Sequence, residues 1–193
     1  MKHVLWLLAI LSPILLSAGG ALANEEQKPE EIRTVHGVAC DRVVPDLNGV
    51  GERCRTSGDQ KLFGSDIPAG SWLHFASGDT PDWLFLSKDT SLDGHVCRGE
   101  GAGSWMTALH PDGRLRLCWL AEHETIDGVP CRRAGLWSDS TRGSVGVVFH
   151  ENGRLRQCEA SHPFAREGHT FKRGETIRLD EKGNVIPGQE PPR

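Results

Sequence analysis

The chain repeats itself through two slots that hold cysteine in some units and an apolar residue in others. The opening slot holds Cys40, Ile67, Cys97, Cys131 and Phe171, and the closing slot holds Cys54, Leu84, Cys118 and Cys158. Each closing slot lies 13 residues before the next opening slot, whereas the distance inside a unit grows from 14 to 27 residues. A fixed segment that recurs in this way indicates a structural unit that stacks on its neighbours, and the variable segments hold the loops.

The six cysteines predict three disulfides, because an even number in an exported chain is typical of a disulfide framework. Pairing the two slots within each unit gives Cys40–Cys54, Cys97–Cys118 and Cys131–Cys158. In the unit without cysteine, both partners are then replaced together, by Ile67 and Leu84. Pairing across the fixed segments is the alternative, and it would leave three thiols opposite apolar residues. We therefore expect the pairs within units.

The first 23 residues have the features of a secretory signal peptide. Lys2 precedes an apolar run at residues 4–16, and the segment ends in Ala21-Leu22-Ala23, so we expect cleavage after Ala23. An uncleaved membrane anchor is the alternative, but Pro13 interrupts the run. The sequence thus predicts a periplasmic or secreted protein that is not stably inserted in a membrane.

The rest of the chain is expected to form one repeat domain between two flexible ends. Residues 24–34 are acidic and predict a disordered linker, and residues 187–193 contain three prolines and predict a flexible tail. The domain spans residues 35–186, with units near 35–54, 61–84, 92–118, 125–158 and 166–186. The units diverge most at residues 99–103 and 138–146, where we expect any specific recognition to lie.

The local pattern predicts β-hairpins. Residues 110–114 and 150–154 contain Asp-Gly and Asn-Gly, which favour tight turns. Leu115, Leu117 and Trp119 follow the first turn in alternation, as in a half-buried strand. No part of the predicted mature chain shows a sustained helical period. We predict an all-β, disulfide-bridged, antiparallel meander of stacked β-hairpin repeats in an elongated single sheet.

Residues 109–116 (Leu-His-Pro-Asp-Gly-Arg-Leu-Arg) and 149–156 (Phe-His-Glu-Asn-Gly-Arg-Leu-Arg) resemble the hairpin element of MORN-type repeat proteins. The resemblance covers one hairpin in each of two units. The chain departs from the family pattern in having no tyrosine, in its long irregular units and in its cysteines. The resemblance implies an elongated binding or scaffolding sheet, and it carries over no catalytic residue.

No motif predicts catalysis, a metal site or a cofactor. The segment that starts at His123-Glu124 begins like a zinc-binding helix motif but has Asp127 where a second histidine is required. Cys-x-x-Cys is absent, and the glycine-rich segments do not match a nucleophile elbow. His110 and His150 stand at equivalent turns, where we expect bonds to the turn backbone. A shared metal or pH-sensing row is the alternative.

Six residues are candidates for binding a partner. Four are cations at repeated positions and two are tryptophans that follow Gly-Ser: Arg98, Arg116, Arg132, Arg156, Trp72 and Trp105. Stacking would place the arginines in rows, which are either cross-strand charge ladders with acidic residues or a surface for an acidic partner. The tryptophans either pack in the sheet or stack on sugars.

These observations predict an exported, non-catalytic binding or scaffolding module of the bacterial cell envelope. Its formal net charge of −4 offers no overall attraction to nucleic acid, so the expected partner is an envelope protein or glycan. One alternative is a structural or stress-related envelope protein without a discrete ligand. Another is an enzyme of unrecognised type, which would collect histidine and carboxylates from different units in one polar pocket.

Overall fold

Two kinds of β-hairpin alternate along the chain. A computed structural model describes residues 31–46, 49–99, 105–135 and 146–186, and these residues form an all-β fold without a helix. Consequently the described ranges contain no helix that could cross a membrane. The predicted signal peptide, most of the predicted linker, the predicted tail and most of the two divergent segments lie outside the described residues.

Eighteen strands follow one another in the described residues. They are β1 (Arg33–Val35), β2 (Val38–Pro45), β3 (Glu52–Thr56), β4 (Gln60–Leu62), β5 (Ser65–Ile67), β6 (Trp72–Phe75), β7 (Trp83–Phe85), β8 (Thr90–Leu92), β9 (His95–Cys97), β10 (Met106–Leu109), β11 (Leu115–Cys118), β12 (Glu124–Ile126), β13 (Val129–Cys131), β14 (Val147–Phe149), β15 (Leu155–Glu159), β16 (Phe164–Arg166), β17 (His169–Phe171) and β18 (Thr176–Arg178). Because β1 begins at Arg33, the predicted linker extends two residues too far.

Ten strands form one large antiparallel sheet in the order β1-β2-β3-β6-β7-β10-β11-β14-β15-β18. Neighbours in this order follow one another along the chain, so the predicted meander is confirmed. The last strand is covered at its outer edge, since Ile186 donates its N–H to the carbonyl of Arg178 and Leu179 bridges Val185.

The four remaining strand pairs are small separate hairpins, β4-β5, β8-β9, β12-β13 and β16-β17. They fall in the 13-residue segments of fixed length, and β1 with the start of β2 has the same turn. A left-handed residue followed by glycine makes each turn, and these residues are His36, Phe63, Asp93, Asp127 and Glu167, with φ of 48° to 51°. Both turn residues have positive φ, as two-residue hairpins prefer. The fixed segments are therefore hairpins beside the large sheet and not strands of it.

Three disulfides are present: Cys97–Cys118 and Cys131–Cys158 each join a small hairpin to the large sheet, and Cys40–Cys54 joins β2 to β3 within the large sheet. These are the pairs that the repeat predicts. All six cysteines are fully buried, and in the unit without cysteine Ile67 and Leu84 are buried in the same slots. The disulfides are consistent with an oxidising extracellular or periplasmic location.

Carboxylates at the hairpin turns make a second connection to the large sheet. Asp93 Oδ2 accepts the N–H of Leu115 at 2.7 Å, and Asp127 Oδ2 accepts the N–H of Leu155 at 2.8 Å. Glu167 repeats the arrangement with the N–H of Val185. These acidic side chains therefore bind backbone amides of the following hairpin, where a charged acceptor strengthens the hydrogen bond.

The core lies between the small hairpins and one face of the large sheet. Its members include Leu73, Phe75, Leu84, Phe149 and Ile177, each at most 1% exposed. The predicted alternation after residue 114 is wrong, because the register with β10 shifts by one residue at a bulge. Leu115 is consequently buried, whereas Leu117 and Trp119 are only half-buried.

A fourth disulfide should form if cysteine is placed in the apolar slots. We expect the double variant I67C/L84C to form an intramolecular disulfide between positions 67 and 84 and to gain about 3 kcal/mol of unfolding free energy, since it closes a loop similar in length to the native ones. Non-reducing peptide mapping and urea unfolding provide the measurement. The single variants I67C and L84C are the controls, and free thiols in the double variant would contradict the equivalence of the slots.

Gly113 should be far less tolerant of substitution than Gly153, its equivalent in the next large-sheet turn. Both have positive φ, but a Cβ on Gly113 would lie 2.5 Å from the Phe63 ring, whereas one on Gly153 meets nothing within 4 Å. We expect Gly153→Ala to cost about 1 kcal/mol from backbone strain and Gly113→Ala about 3 kcal/mol from strain plus overpacking. Equal losses in urea unfolding with the disulfides intact would contradict this contact.

Candidate functional site

The face of the large sheet opposite the small hairpins, here called the open face, carries a continuous row of cross-strand neighbours. The row runs through Arg53, His74, Trp83, Ala108, Leu117, Val148, Gln157 and Arg178. A second row beside it runs through Arg55, Trp72, Phe85 and Met106. Residues two apart on a strand point to the same side, so both rows lie on one face.

The centre of the open face is apolar and partly accessible to solvent. Trp72, Trp83 and Phe85 are half-buried, and Met106 is 39% exposed. The rings are held against one another, since Trp83 stacks on His74 at 4.5 Å and meets the edge of Phe85 at 5.2 Å. These side chains stand on strands of the large sheet, so their positions are set by the ladder of backbone hydrogen bonds.

Charged side chains flank this apolar centre on its N-terminal side. Arg55 donates two hydrogen bonds to Asp41, at 2.7 and 3.1 Å. Arg53 Nε lies 3.5 Å from the Asp46 carboxylate. A forked pair such as that of Arg55 fixes both side chains, and the result is a polar border of defined geometry.

His74 and two carboxylates from different units meet at this border. Its Nδ1 lies 2.6 Å from Asp82 Oδ1, and its Nε2 lies 3.9 Å from Asp46 Oδ2. In the described part of the chain, His74 Nε2 and Arg53 Nε are buried without a hydrogen-bond partner. An Asp–His pair can serve as a general base, but a buried Nε2 cannot contact a substrate in this conformation. The arrangement holds the turns at Asp46 and Asp82 together.

Trp105 does not occupy the position of Trp72. Trp72 and Met106 both pair with Phe85, so Trp105, which also follows Gly-Ser, lies one residue before the position equivalent to that of Trp72. Trp105 packs at 5.2 Å from Trp119, and the Arg98 guanidinium lies over its ring, also at 5.2 Å. Arg98 also donates to the carbonyl of Ala134, so its charge is used in an internal contact.

The other predicted arginines are separated in the structure. Arg132 pairs with Glu159 at 3.2 Å. Arg116 and Arg156 are exposed, each at the bulge where the register of its strand pair shifts. The pairing of Arg132 is that of a cross-strand charge ladder. The side chains of the two bulge arginines make no hydrogen bond or ion pair with other described residues.

The imidazole side chains of His110 and His150 bind the hairpin that follows, and not the backbone of their own turn as predicted. Nε2 of His110 lies 3.2 Å from the carbonyl oxygen of Phe149, and Nε2 of His150 lies 3.0 Å from that of Leu179. In these two turns a histidine thus ties the large-sheet hairpin to the backbone of the next one. Among residues 31–46, 49–99, 105–135 and 146–186, no group of three or more potential metal ligands occurs.

His123 is a functional candidate that the sequence suggested only as a possible metal ligand. Its Nδ1 accepts the N–H of Arg133 at 3.0 Å. Asp59 and Asp89 accept the corresponding amides, of Ala69 and Gly99, each at 2.8 Å. These three acceptors occupy equivalent positions, since each lies five residues after a closing slot. An alignment of the fixed segments would have revealed this equivalence. Partial burial lowers the pKa of His123, and Arg133, Arg173, Arg132 and His162 lower it further.

The enclosed cavity beneath the β4-β5 hairpin is not a ligand site. It lies among Phe63, Leu73, Leu84 and Leu109, and its volume of about 10 Å³ corresponds to a single water. A wider open groove is lined by Val43 of β2 and Phe75 of β6. The open face and the cations around His123 are the two surfaces whose side chains offer defined chemistry to a partner.

Comparison of the chain with family models, with curated proteins and with solved structures finds no match. Function is therefore inferred from the chemistry of these surfaces alone.

His123 should make stability depend on pH. Its pKa in the folded protein lies below the usual value of about 6.5, so the unfolded chain binds more protons and stability falls as the pH drops below about 6.5. We expect His123→Asn, which keeps an acceptor for the Arg133 amide, to reduce this loss in urea unfolding between about pH 7.5 and pH 5. His169→Asn is the control, and an unchanged slope in H123N would contradict the prediction.

Proposed function

We propose that the protein is an exported, non-catalytic binding module of the bacterial cell envelope and that the open face is its binding surface. The observation that carries the proposal is the apolar centre formed by Trp72, Trp83, Phe85 and Met106. A partly exposed apolar patch with a polar border is typical of an interaction surface. Tryptophan in particular contributes strongly to binding energy when a partner excludes water from it.

Export is supported by the chain's N-terminal sequence and by its disulfides. Residues 1–23 have the charge, apolar run and small-residue ending of a signal peptide. Three disulfides and no free cysteine fit an oxidising compartment. We therefore place the mature chain in the periplasm or outside the cell, beginning after Ala23.

The rigidity of the open face supports binding over a purely structural role. The side chains lie on paired strands, and the Arg55–Asp41 fork and the His74–Asp82 bond fix the border. A surface that is already ordered loses little conformational entropy when a partner binds. The expected partner is an envelope protein or a glycan, whose apolar groups or sugar faces could pack on the exposed rings.

Replacing Phe85 should weaken partner binding, and replacing Phe63 should not. Phe63 is the matched control because it is 43% exposed but belongs to a small hairpin on the other side of the large sheet. We expect Phe85→Ala to lower the affinity for the partner about tenfold or more, as loss of a central aromatic contact does. Immobilised mature protein would be tested with periplasmic extract, and with isolated peptidoglycan by co-sedimentation.

Circular dichroism and urea unfolding would confirm that both variants are folded. The same partner retained equally by wild-type and F85A protein would show that the open face is not the binding surface. Retention of no protein and no glycan by the wild type would count against the binding function itself.

A further inference from the structure

A second charged surface lies where two neighbouring small hairpins end. We call it the basic cluster and define it as the side chains of His123, Arg133, His162 and Arg173, all of which are exposed. It shares no residue with the open face, so a role for the basic cluster does not depend on the proposed function.

Backbone hydrogen bonds hold the loops of the basic cluster together. Arg132 N–H donates to the carbonyl of Glu159, and Ser161 N–H donates to that of Pro130, each at 2.8 Å. Gly174 N–H donates to the carbonyl of Ala160 at 2.8 Å. The loops after β11, β13, β15 and β17 therefore meet at one place, and each brings one member of the cluster.

The carboxylates near the cluster are largely engaged elsewhere. Glu159 pairs with Arg132, and Glu175 accepts the backbone N–H of Lys172. Glu122, next to His123 in the chain, is the remaining acidic neighbour in sequence. The side chains of Arg133 and Arg173 make no hydrogen bond or ion pair with other described residues. Two guanidinium groups are thus available to a ligand.

The residue at position 123 adds no negative charge to the basic cluster. At the equivalent positions Asp59 and Asp89 supply a carboxylate to the backbone amide. His123 accepts the Arg133 amide with a neutral ring nitrogen instead, so the same backbone bond forms without a negative charge. With Nδ1 accepting, the ring proton is on Nε2, which can donate to an anion.

The pKa of His123 agrees with a positive local potential. Burial lowers it first, and the cations Arg133, Arg173, Arg132 and His162 lower it further. An anion bound among these groups would oppose their effect and raise the pKa. By linkage, protonation of His123 would in turn strengthen anion binding.

We propose that the basic cluster is a binding site for a phosphoryl group, either as free phosphate or within a phosphate chain. Arg133 and Arg173 supply paired N–H donors that match the oxygens of a tetrahedral oxyanion. His123 and His162 add imidazole donors. Lys172 extends the positive surface for further phosphates of a chain.

The test uses the mature wild-type protein with inorganic phosphate and with tripolyphosphate, measured by calorimetry at low salt. Tighter binding of tripolyphosphate would assign a phosphate chain, and equal affinity would assign free phosphate. We expect the double variant R133A/R173A to lose about tenfold or more of the affinity. R116A/R156A removes the same charge from the exposed bulge positions and should bind as the wild type does.

A second readout follows the His123 ring by NMR. Its pKa should rise when tripolyphosphate is added to the wild type. Sulfate keeps its charge over this range, so its affinity should increase as the pH falls from about 7 to about 5.5, and His123→Asn should weaken that dependence. The proposal would be overturned if the wild type bound neither inorganic phosphate nor tripolyphosphate. It would also be overturned if R133A/R173A and R116A/R156A lost the same affinity, or if the pKa of His123 did not change when tripolyphosphate was added.

Discussion

The structure depends on burial of the contact between the opening and closing slots. A small hairpin lacks the area to form a core of its own, and in β4-β5, β8-β9 and β12-β13 this contact holds it against the large sheet. Cysteine pairs fill the slots in three units and Ile67 with Leu84 in another, and all of these positions are nearly or fully inaccessible to solvent. The 13 residues lead from the closing slot in the large sheet to the second strand of the small hairpin, where the residue in the opening slot is buried.

This contact also explains which interactions repeat and which do not. Carboxylates at the left-handed turn positions Asp93, Asp127 and Glu167 bind amides of the following large-sheet hairpin, so the turn chemistry and the layer contact support each other. On the open face no such partner layer constrains the sequence. Its residues vary from arginine and tryptophan to alanine and glutamine along one row.

The disulfide pairs and the meander could be predicted because the spacing of the opening and closing slots indicates which residues face one another in the fold. The open face could not, since strands such as Trp83–Phe85 are too short for alternation to identify a side. The bulge between Leu115 and Leu117 also reverses the expected side within one strand. The roles of His74 and His123 could not be predicted, because their partners are distant in the sequence. For His123, the only signal was its equivalence to Asp59 and Asp89 in the fixed segments.

The unit that is closed by an apolar slot pair differs from the disulfide-bridged units in its sensitivity to reduction. Ile67 and Leu84 close their unit by packing alone, and β6 and β7 of this unit carry Trp72, Trp83 and Phe85. A reductant would open the covalent links of the flanking units and leave this one unchanged. The aromatic centre of the open face therefore lies on the part of the array whose closure does not depend on the thiol–disulfide balance of its compartment.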